Sequence, residues 1–116
     1  MLKTKRVYDP PEDEDGHRIL VDRLWPRGLT KEKAGIDEWR RDLGPSNELR
    51  KWFGHDPAKW DEFRRRYRAE IQTAGLTTDL RKIAEMAKSR DVTLVFGAKD
   101  PADNQAVALK EMALKR

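Results

Sequence analysis

The chain has 116 residues, of which 25 are Lys or Arg and 21 are Asp or Glu, so its formal net charge is only +4. This length is typical of a single domain with one modest core. Since the chain has no cysteine, disulfide bonds, a thiolate nucleophile and cysteine-based zinc or iron–sulfur sites are excluded. No apolar run approaches the roughly 18 residues of a membrane span, and the N-terminus lacks the apolar stretch of a secretory signal. We therefore expect a cytoplasmic protein without a membrane partner.

Three apolar segments predict β-strands, over residues 3–8, 18–22 and 92–96. The unbroken Ile-Leu-Val run of the second segment is typical of a parallel strand that is covered on both faces. The third segment follows several predicted helices, which favours a parallel arrangement with the second. Only the nine residues Asp9–His17 separate the first two strands, too few for a helical crossover. The first strand therefore runs antiparallel to the second, or a bare loop joins two parallel strands.

Helical patterns and capping residues occupy most of the remaining chain. The predicted helical segments are 29–36 (loop or a short helix), 37–43, 47–53 after a Ser46 cap, 57–73 after an Asp56 cap, 78–89, and a last helix capped by Asp100 or Asp103. Within 57–73, Trp60, Phe63, Tyr67 and Ile71 form one apolar stripe. We expect an α/β fold with a small, mainly parallel sheet of about three strands. Four to five helices pack against it in a single compact domain that spans residues 1–116.

Charged side chains follow the second and third predicted strands. Arg23 and Arg27 come after the second strand, and Lys99 comes after the third. Because ligands bind at the carboxyl ends of strands in open α/β sheets, these cations predict a site for a small phosphate- or carboxylate-bearing ligand. The alternative is that Asp22–Arg23 and Lys99–Asp100 are internal ion pairs that only fix loops.

Three further residues belong to this predicted ligand site. Asp100 and Asn104 follow the third strand, and Trp25 stands in the loop after the second. A nucleotide is the first ligand to consider, since Trp25 offers a stacking surface. More often such a Trp is a core side chain whose indole N–H bonds to backbone. The chain has neither of the common glycine-rich nucleotide loops, G-x-G-x-x-G and G-x-x-x-x-G-K-[ST].

Two residues are candidates for acid–base catalysis, although the sequence leaves open whether the protein is an enzyme. Asp22 follows the second strand, and His55 stands beside Asp56. Asp56 already has a sufficient role as a helix cap. His17 and His55 are too far apart in sequence to predict a metal site, and no cofactor is expected.

A run of arginines supports an alternative function as a non-catalytic nucleic-acid-binding module. Arg64, Arg65, Arg66 and Arg68, with Lys51, would form the basic face. Glu62 and Glu70 lie three or four residues from several of these arginines, which favours a solvated helix face instead. A third alternative is a protein-interaction module that uses the Trp25 loop as its contact surface. The sequence does not indicate an oligomeric state.

The string Val21-Asp-Arg-Leu-Trp-Pro-Arg-Gly28, preceded by Arg18-Ile-Leu, resembles the signature of the YeaO-like proteins, the short branch of domain-of-unknown-function family 488. Further similar segments are Lys5–Asp9, Asp37–Trp39, Leu49–Phe53 with His55, and Thr93–Phe96 with Ala98–Asp100. The resemblance covers nearly the whole chain and implies a compact α/β domain without assigning an activity. Where similar proteins often read Asn-His-Ala, this chain has Asn104-Gln105-Ala106, and glutamine keeps only the hydrogen-bonding capacity of that position.

Overall fold

The computed structural model describes residues 1–115 and contains one parallel sheet of four strands. The strands are β1 (Leu2–Arg6), β2 (His17–Leu20), β3 (Glu38–Trp39) and β4 (Val92–Phe96), in the order β1-β4-β2-β3. Each neighbouring pair is parallel, which confirms the predicted sheet type. Because β4 lies between β1 and β2, these two strands are parallel without being neighbours. A loop with a single 3-10 turn, Asp13–Asp15, is sufficient to connect them.

Helices cover both faces of the sheet, as the α/β prediction required. They are α1 (Lys31–Ala34), α2 (Asn47–Phe53), α3 (Trp60–Thr73), α4 (Thr77–Ser89) and α5 (Gln105–Leu114). One sheet face, with Ile19, Leu94 and Phe96, belongs to the large core formed with α2 to α5. The opposite face, with Leu20 and Val95, packs against α1 and the loops around it. Among residues 1–115, no helix combines the length and the apolar character that crossing a bilayer requires.

Local sequence signals account for the helices next to the sheet edge. The Ser46 hydroxyl accepts a hydrogen bond from Leu49 N and caps α2, as predicted. Asp56 caps a 3-10 turn at Pro57–Lys59 that leads directly into α3. The predicted α3 stripe is buried at Phe63, Tyr67 and Ile71, while Trp60 is only partly buried.

Two local predictions were wrong. Residues 37–43 do not form one helix: Glu38–Trp39 forms β3, and only Arg41–Leu43 turns in a 3-10 helix. The open edge of β2 explains the difference, because Asp37 N donates to Arg18 O at 3.0 Å and Arg40 N donates to Leu20 O at 2.9 Å. The last helix begins after Asn104, whose side chain accepts from Val107 N, and not after Asp100 or Asp103.

A buried ion pair holds the β1–β2 connection against α1. Arg18 is 3% exposed and Asp15 is 5% exposed, and their side chains meet at 2.7 Å. The Arg18 guanidinium also donates to the carbonyls of Ala34 at 2.8 Å and Gly35 at 2.9 Å. The Lys5 ammonium approaches the same Asp15 carboxylate at 3.1 Å. Every guanidinium nitrogen of Arg18 therefore has a partner, which compensates the cost of burying the charge.

We predict that Arg18→Met lowers the free energy of unfolding by about 3–5 kcal/mol, because it leaves the Asp15 carboxylate and two carbonyls without their main donor. Urea denaturation measures this loss. Lys88→Met is the matched control, since Lys88 forms only an exposed pair with Glu85 and should cost less than about 1 kcal/mol. A loss below about 1 kcal/mol for Arg18→Met would contradict the structural role of the buried pair.

Candidate functional site

A cavity of about 240 Å³ opens where β2 and β4 end. The parallel register that pairs Leu20 with Val95 brings these two carboxyl ends side by side. Apolar side chains of the wall are Trp25, Pro26, Pro45, Phe53 and Phe63. Polar and charged lining residues are Asp22, Arg23, Arg50, His55 and Gln105. A mostly apolar hollow with a few convergent polar groups is the usual form of a small-molecule site.

The Asp22 carboxylate stands at the junction of three elements beside this cavity. Its Oδ2 accepts a hydrogen bond from Gly97 N, just beyond β4, at 2.8 Å. Its Oδ1 accepts one from Gln105 Nε2, at the start of α5. A Cβ on Gly97 would lie 2.8 Å from Asp22 Oδ2, so a larger residue at position 97 would displace the Asp22 carboxylate. Since a carboxylate can accept about four hydrogen bonds, Asp22 retains capacity for a donor from a ligand.

The position of Asp22 changes its acidity. Burial raises the pKa of its carboxyl from the ordinary 3.8 to about 6, although the hydrogen bonds from Gly97 and Gln105 and the charge of Arg50 act in the opposite direction. The group is therefore mostly ionised at pH 7 and becomes protonated in mildly acidic solution. A perturbed carboxyl in a cleft is a feature of functional sites as well as of structural ones.

The predicted cation Arg23 lines the cavity but is largely engaged by the backbone. Its Nε donates to Pro45 O at 2.9 Å, and its Nη2 donates to Gly44 O at 2.7 Å. Nη1 and the second N–H of Nη2 can still donate to a ligand without giving up these bonds. Arg50, on α2, also lines the cavity and was missed by the sequence analysis. The sequence feature that could have identified Arg50 is its position three residues before Phe53, which places both side chains on the same helix face.

Trp25 has the backbone hydrogen bond expected of a core side chain and also lines the cavity. Its indole Nε1 donates to Leu29 O at 2.7 Å, and its ring packs edge-on against Trp39 with centroids 5.4 Å apart. The side chain is half-buried and also forms part of the cavity wall. The loop after β2 therefore holds this wall in a fixed orientation.

Lys99 and Asp100 line a second, adjoining cavity of about 510 Å³. This cavity shares His55, Gly97 and Ala98 with the first, so the two meet along one boundary. The Asp100 carboxylate accepts hydrogen bonds from Ala102 N and Asp103 N at 2.9 and 3.2 Å and is thus occupied by its own loop.

Two other residues of the predicted set lie outside both cavities. Arg27 is exposed, and its carbonyl accepts a hydrogen bond from the Tyr8 hydroxyl at 3.0 Å. Asn104 is buried and caps α5, while its Nδ2 donates to Asp100 O at 2.8 Å. The structure therefore places Asp22, Arg23 and Trp25 around one cavity, and Lys99 and Asp100 around the adjoining cavity. Arg27 and Asn104 line neither cavity.

Three of the four arginines in the α3 run, Arg64, Arg65 and Arg66, are paired with acidic neighbours. Arg65 and Arg66 both bind Glu62, at 2.6 and 2.8 Å, and Arg64 binds Asp61 and Glu111 at 2.6 and 3.0 Å. These contacts describe a solvated ion-pair network, which reduces the positive field that nucleic acid would need. Among residues 1–115, no group of three His, Cys, Asp or Glu side chains is arranged to hold a metal ion.

We predict that the Asp22 carboxyl titrates near pH 6 in carbon-detected NMR. Because this pKa is raised in the folded state, the folded protein binds more protons than the unfolded chain between about pH 4 and pH 6. As the pH rises from about 4 to about 6, the free energy of unfolding of the wild type relative to Asp22→Asn should therefore fall by on the order of 2 kcal/mol. A difference that stays flat or rises with pH would contradict the burial of Asp22.

Comparison with known proteins places the whole chain in one family. Residues 1–116 match the family model DUF488-N3i, described as the inactive DUF488-N3 subclade. The chain is 43% identical to YeaO of Escherichia coli over 110 residues, which cover 95% of this chain and 94% of YeaO. It is 35% identical to Rv3073c of Mycobacterium tuberculosis over 111 residues, 96% of this chain and 92% of that protein, and both relatives are named as uncharacterised proteins. No solved structure matches the chain significantly. The chain belongs to the YeaO-like short branch of the DUF488 family.

Proposed function

We propose that this protein binds a small phosphate- or carboxylate-bearing ligand, such as a nucleotide, in the cavity at the carboxyl ends of β2 and β4. The observation that carries the proposal is the half-buried Asp22 carboxylate, which lies between two strand ends beside a hollow with apolar walls. Ligands of open α/β sheets bind at this edge, because the loops that follow the strands converge there.

The walls and the charges of the cavity support this class of ligand. Phe53 and Phe63 are buried, stack with ring centroids 4.3 Å apart and back the apolar wall, to which the half-buried Trp25 ring also belongs. Arg50 supplies a guanidinium suited to paired hydrogen bonds with phosphate or carboxylate oxygens. In the proposal, Arg50 takes the role first assigned to Arg27, and Arg23 contributes mainly by fixing the Gly44–Pro45 carbonyls.

We propose binding without turnover. Gln105 lies where the family resemblance leads one to expect histidine, and it donates a hydrogen bond to Asp22 instead of exchanging a proton. The subclade description as inactive agrees with this interpretation. The Asp22 carboxyl then serves to accept a hydrogen bond from the ligand.

The nucleic-acid alternative has weaker support, because three of the four α3 arginines are paired with Glu62, Asp61 and Glu111. The two functions respond differently to salt. Binding of nucleic acid through a basic face should weaken steeply as ionic strength rises, whereas a ligand held in a cavity should respond much less.

Titration calorimetry with four probes tests the proposal: adenosine 5′-monophosphate, guanosine 5′-monophosphate, benzoate and inorganic phosphate. At least one probe should bind saturably, and Arg50→Ala should weaken that binding at least about fivefold, since it removes a charge-assisted hydrogen bond. Arg90→Ala is the matched control, because Arg90 is exposed and precedes β4, at the end of the strands that lies away from the cavity.

Two results would contradict the proposal. One is the absence of saturable binding by all four probes. The other is equal weakening by Arg50→Ala and Arg90→Ala, which would indicate a general effect of net charge. Strong, salt-sensitive binding of a single-stranded oligonucleotide that is lost in Arg65→Ala would favour the α3 face instead.

A further inference from the structure

His55 stands where the two cavities meet, and its backbone is in the left-handed region, which few non-glycine residues adopt. Its φ is +57°, and it is the one non-glycine residue with a positive φ within residues 1–115. The preceding Gly54 ends α2 in the left-handed region as well, at φ +54°. A side chain in this region costs free energy that glycine would not incur, so the position favours glycine on local grounds.

The turn explains the backbone of His55 but not its side chain. Asp56 N donates to Phe53 O at 3.0 Å, and Asp56 then caps the turn that starts at Pro57, so the chain must reverse at residues 54–55. The imidazole itself is exposed, with its ring centroid 6.1 Å from that of Phe53. No hydrogen bond or ion pair holds the imidazole within residues 1–115. An unusual backbone at a cavity mouth is a reason to examine the side chain for function.

Positive groups surround this junction. Arg50 lies on the inner side, in the cavity that contains Asp22. Lys99 lies on the outer side and forms no ion pair within residues 1–115. The nearby Asp100 carboxylate accepts hydrogen bonds from two backbone amides of its own loop at Oδ1 and forms no ion pair with Lys99. A cationic side chain therefore lines each of the two cavities that meet at His55.

Asp22 contributes a negatively charged group to the inner cavity, in contrast to the cations Arg50 and Lys99. The Asp22 carboxylate accepts hydrogen bonds from Gly97 and Gln105 and, when ionised, can offer only further acceptor positions to a ligand. A ligand group that contacts Asp22 must therefore present an N–H or O–H donor. The apolar wall, which includes the half-buried Trp25 ring, suits a flat group.

We propose, on the basis of the function proposed above, that the ligand has two parts. A flat heterocycle with a donor edge occupies the inner cavity against Asp22, and an anionic group lies at the junction beside His55, between Arg50 and Lys99. A purine mononucleotide whose base edge carries N–H donors, of the guanine type, has both features. His55 is in this account a ligand-contacting residue that sets where the anion lies.

The experiment compares guanosine 5′-monophosphate with guanosine, which lacks only the phosphate, by titration calorimetry at pH 7. The wild-type protein should bind the monophosphate at least fivefold more tightly than guanosine. His55→Asn and Lys99→Ala should each weaken binding of the monophosphate three- to tenfold and change that of guanosine less than twofold. Asp22→Asn should weaken binding of both compounds, because it replaces an acceptor for the base.

His55→Asn and His55→Gly separate the imidazole from the backbone. Asparagine tolerates the left-handed conformation and glycine favours it, so both variants should be at least as stable to thermal denaturation as the wild type. Both should nevertheless lose affinity for the monophosphate. Wild-type affinity in His55→Asn would overturn the proposed contact.

Two further outcomes would overturn the two-part ligand while leaving the function proposed above in place. One is equal affinity of the wild type for guanosine and its monophosphate. The other is binding of benzoate, inorganic phosphate or adenosine 5′-monophosphate without binding of either guanine compound. If none of the probes binds, both proposals fail.

Discussion

The carboxylate of Asp22 connects three parts of the chain that are far apart in sequence. It follows β2 and accepts hydrogen bonds from Gly97, just after β4, and from Gln105, at the start of α5. These two bonds fix the edge of the sheet and the beginning of the last helix relative to each other. The cavity wall, the acidity of Asp22 and the polarity offered to a ligand all depend on this connection. A side chain larger than hydrogen at position 97 would disturb this connection, because its Cβ would lie 2.8 Å from Asp22 Oδ2.

The side of the cavity formed by α2 depends on a second set of contacts, in which charged side chains bind backbone and capping groups. Arg23 binds the carbonyls of Gly44 and Pro45 and so holds the segment that leads into α2. Glu70 on α3 accepts hydrogen bonds from the amide and hydroxyl groups of Ser46, the cap of α2. Together these contacts orient α2, which carries Arg50 into the cavity. One arginine therefore positions the helix that presents the other.

The sequence predicts the strands and the sheet edge well, because their signals are local. An unbroken apolar run, a Ser46 cap and a proline-marked helix start each follow from a few adjacent residues. The short strand at Trp39 escaped prediction, since two residues are too few to show a period and its pairing depends on the open edge of β2. The engagement of Arg23 could not be foreseen either, because its carbonyl acceptors are brought to it by tertiary packing. Asn104 became the cap of α5 in competition with two nearby aspartates that have equal local preference.

The most direct test of the account is to map where guanosine 5′-monophosphate contacts the protein, using ¹H–¹⁵N correlation spectra recorded during titration. We expect the largest shifts at the Gly97 amide, the Gln105 side-chain amide and the Trp25 indole, which surround the cavity at the strand ends. Shifts confined to the α3 arginines and their neighbours would contradict the account. They would move the binding function from the edge of the sheet to the exposed face of the helix.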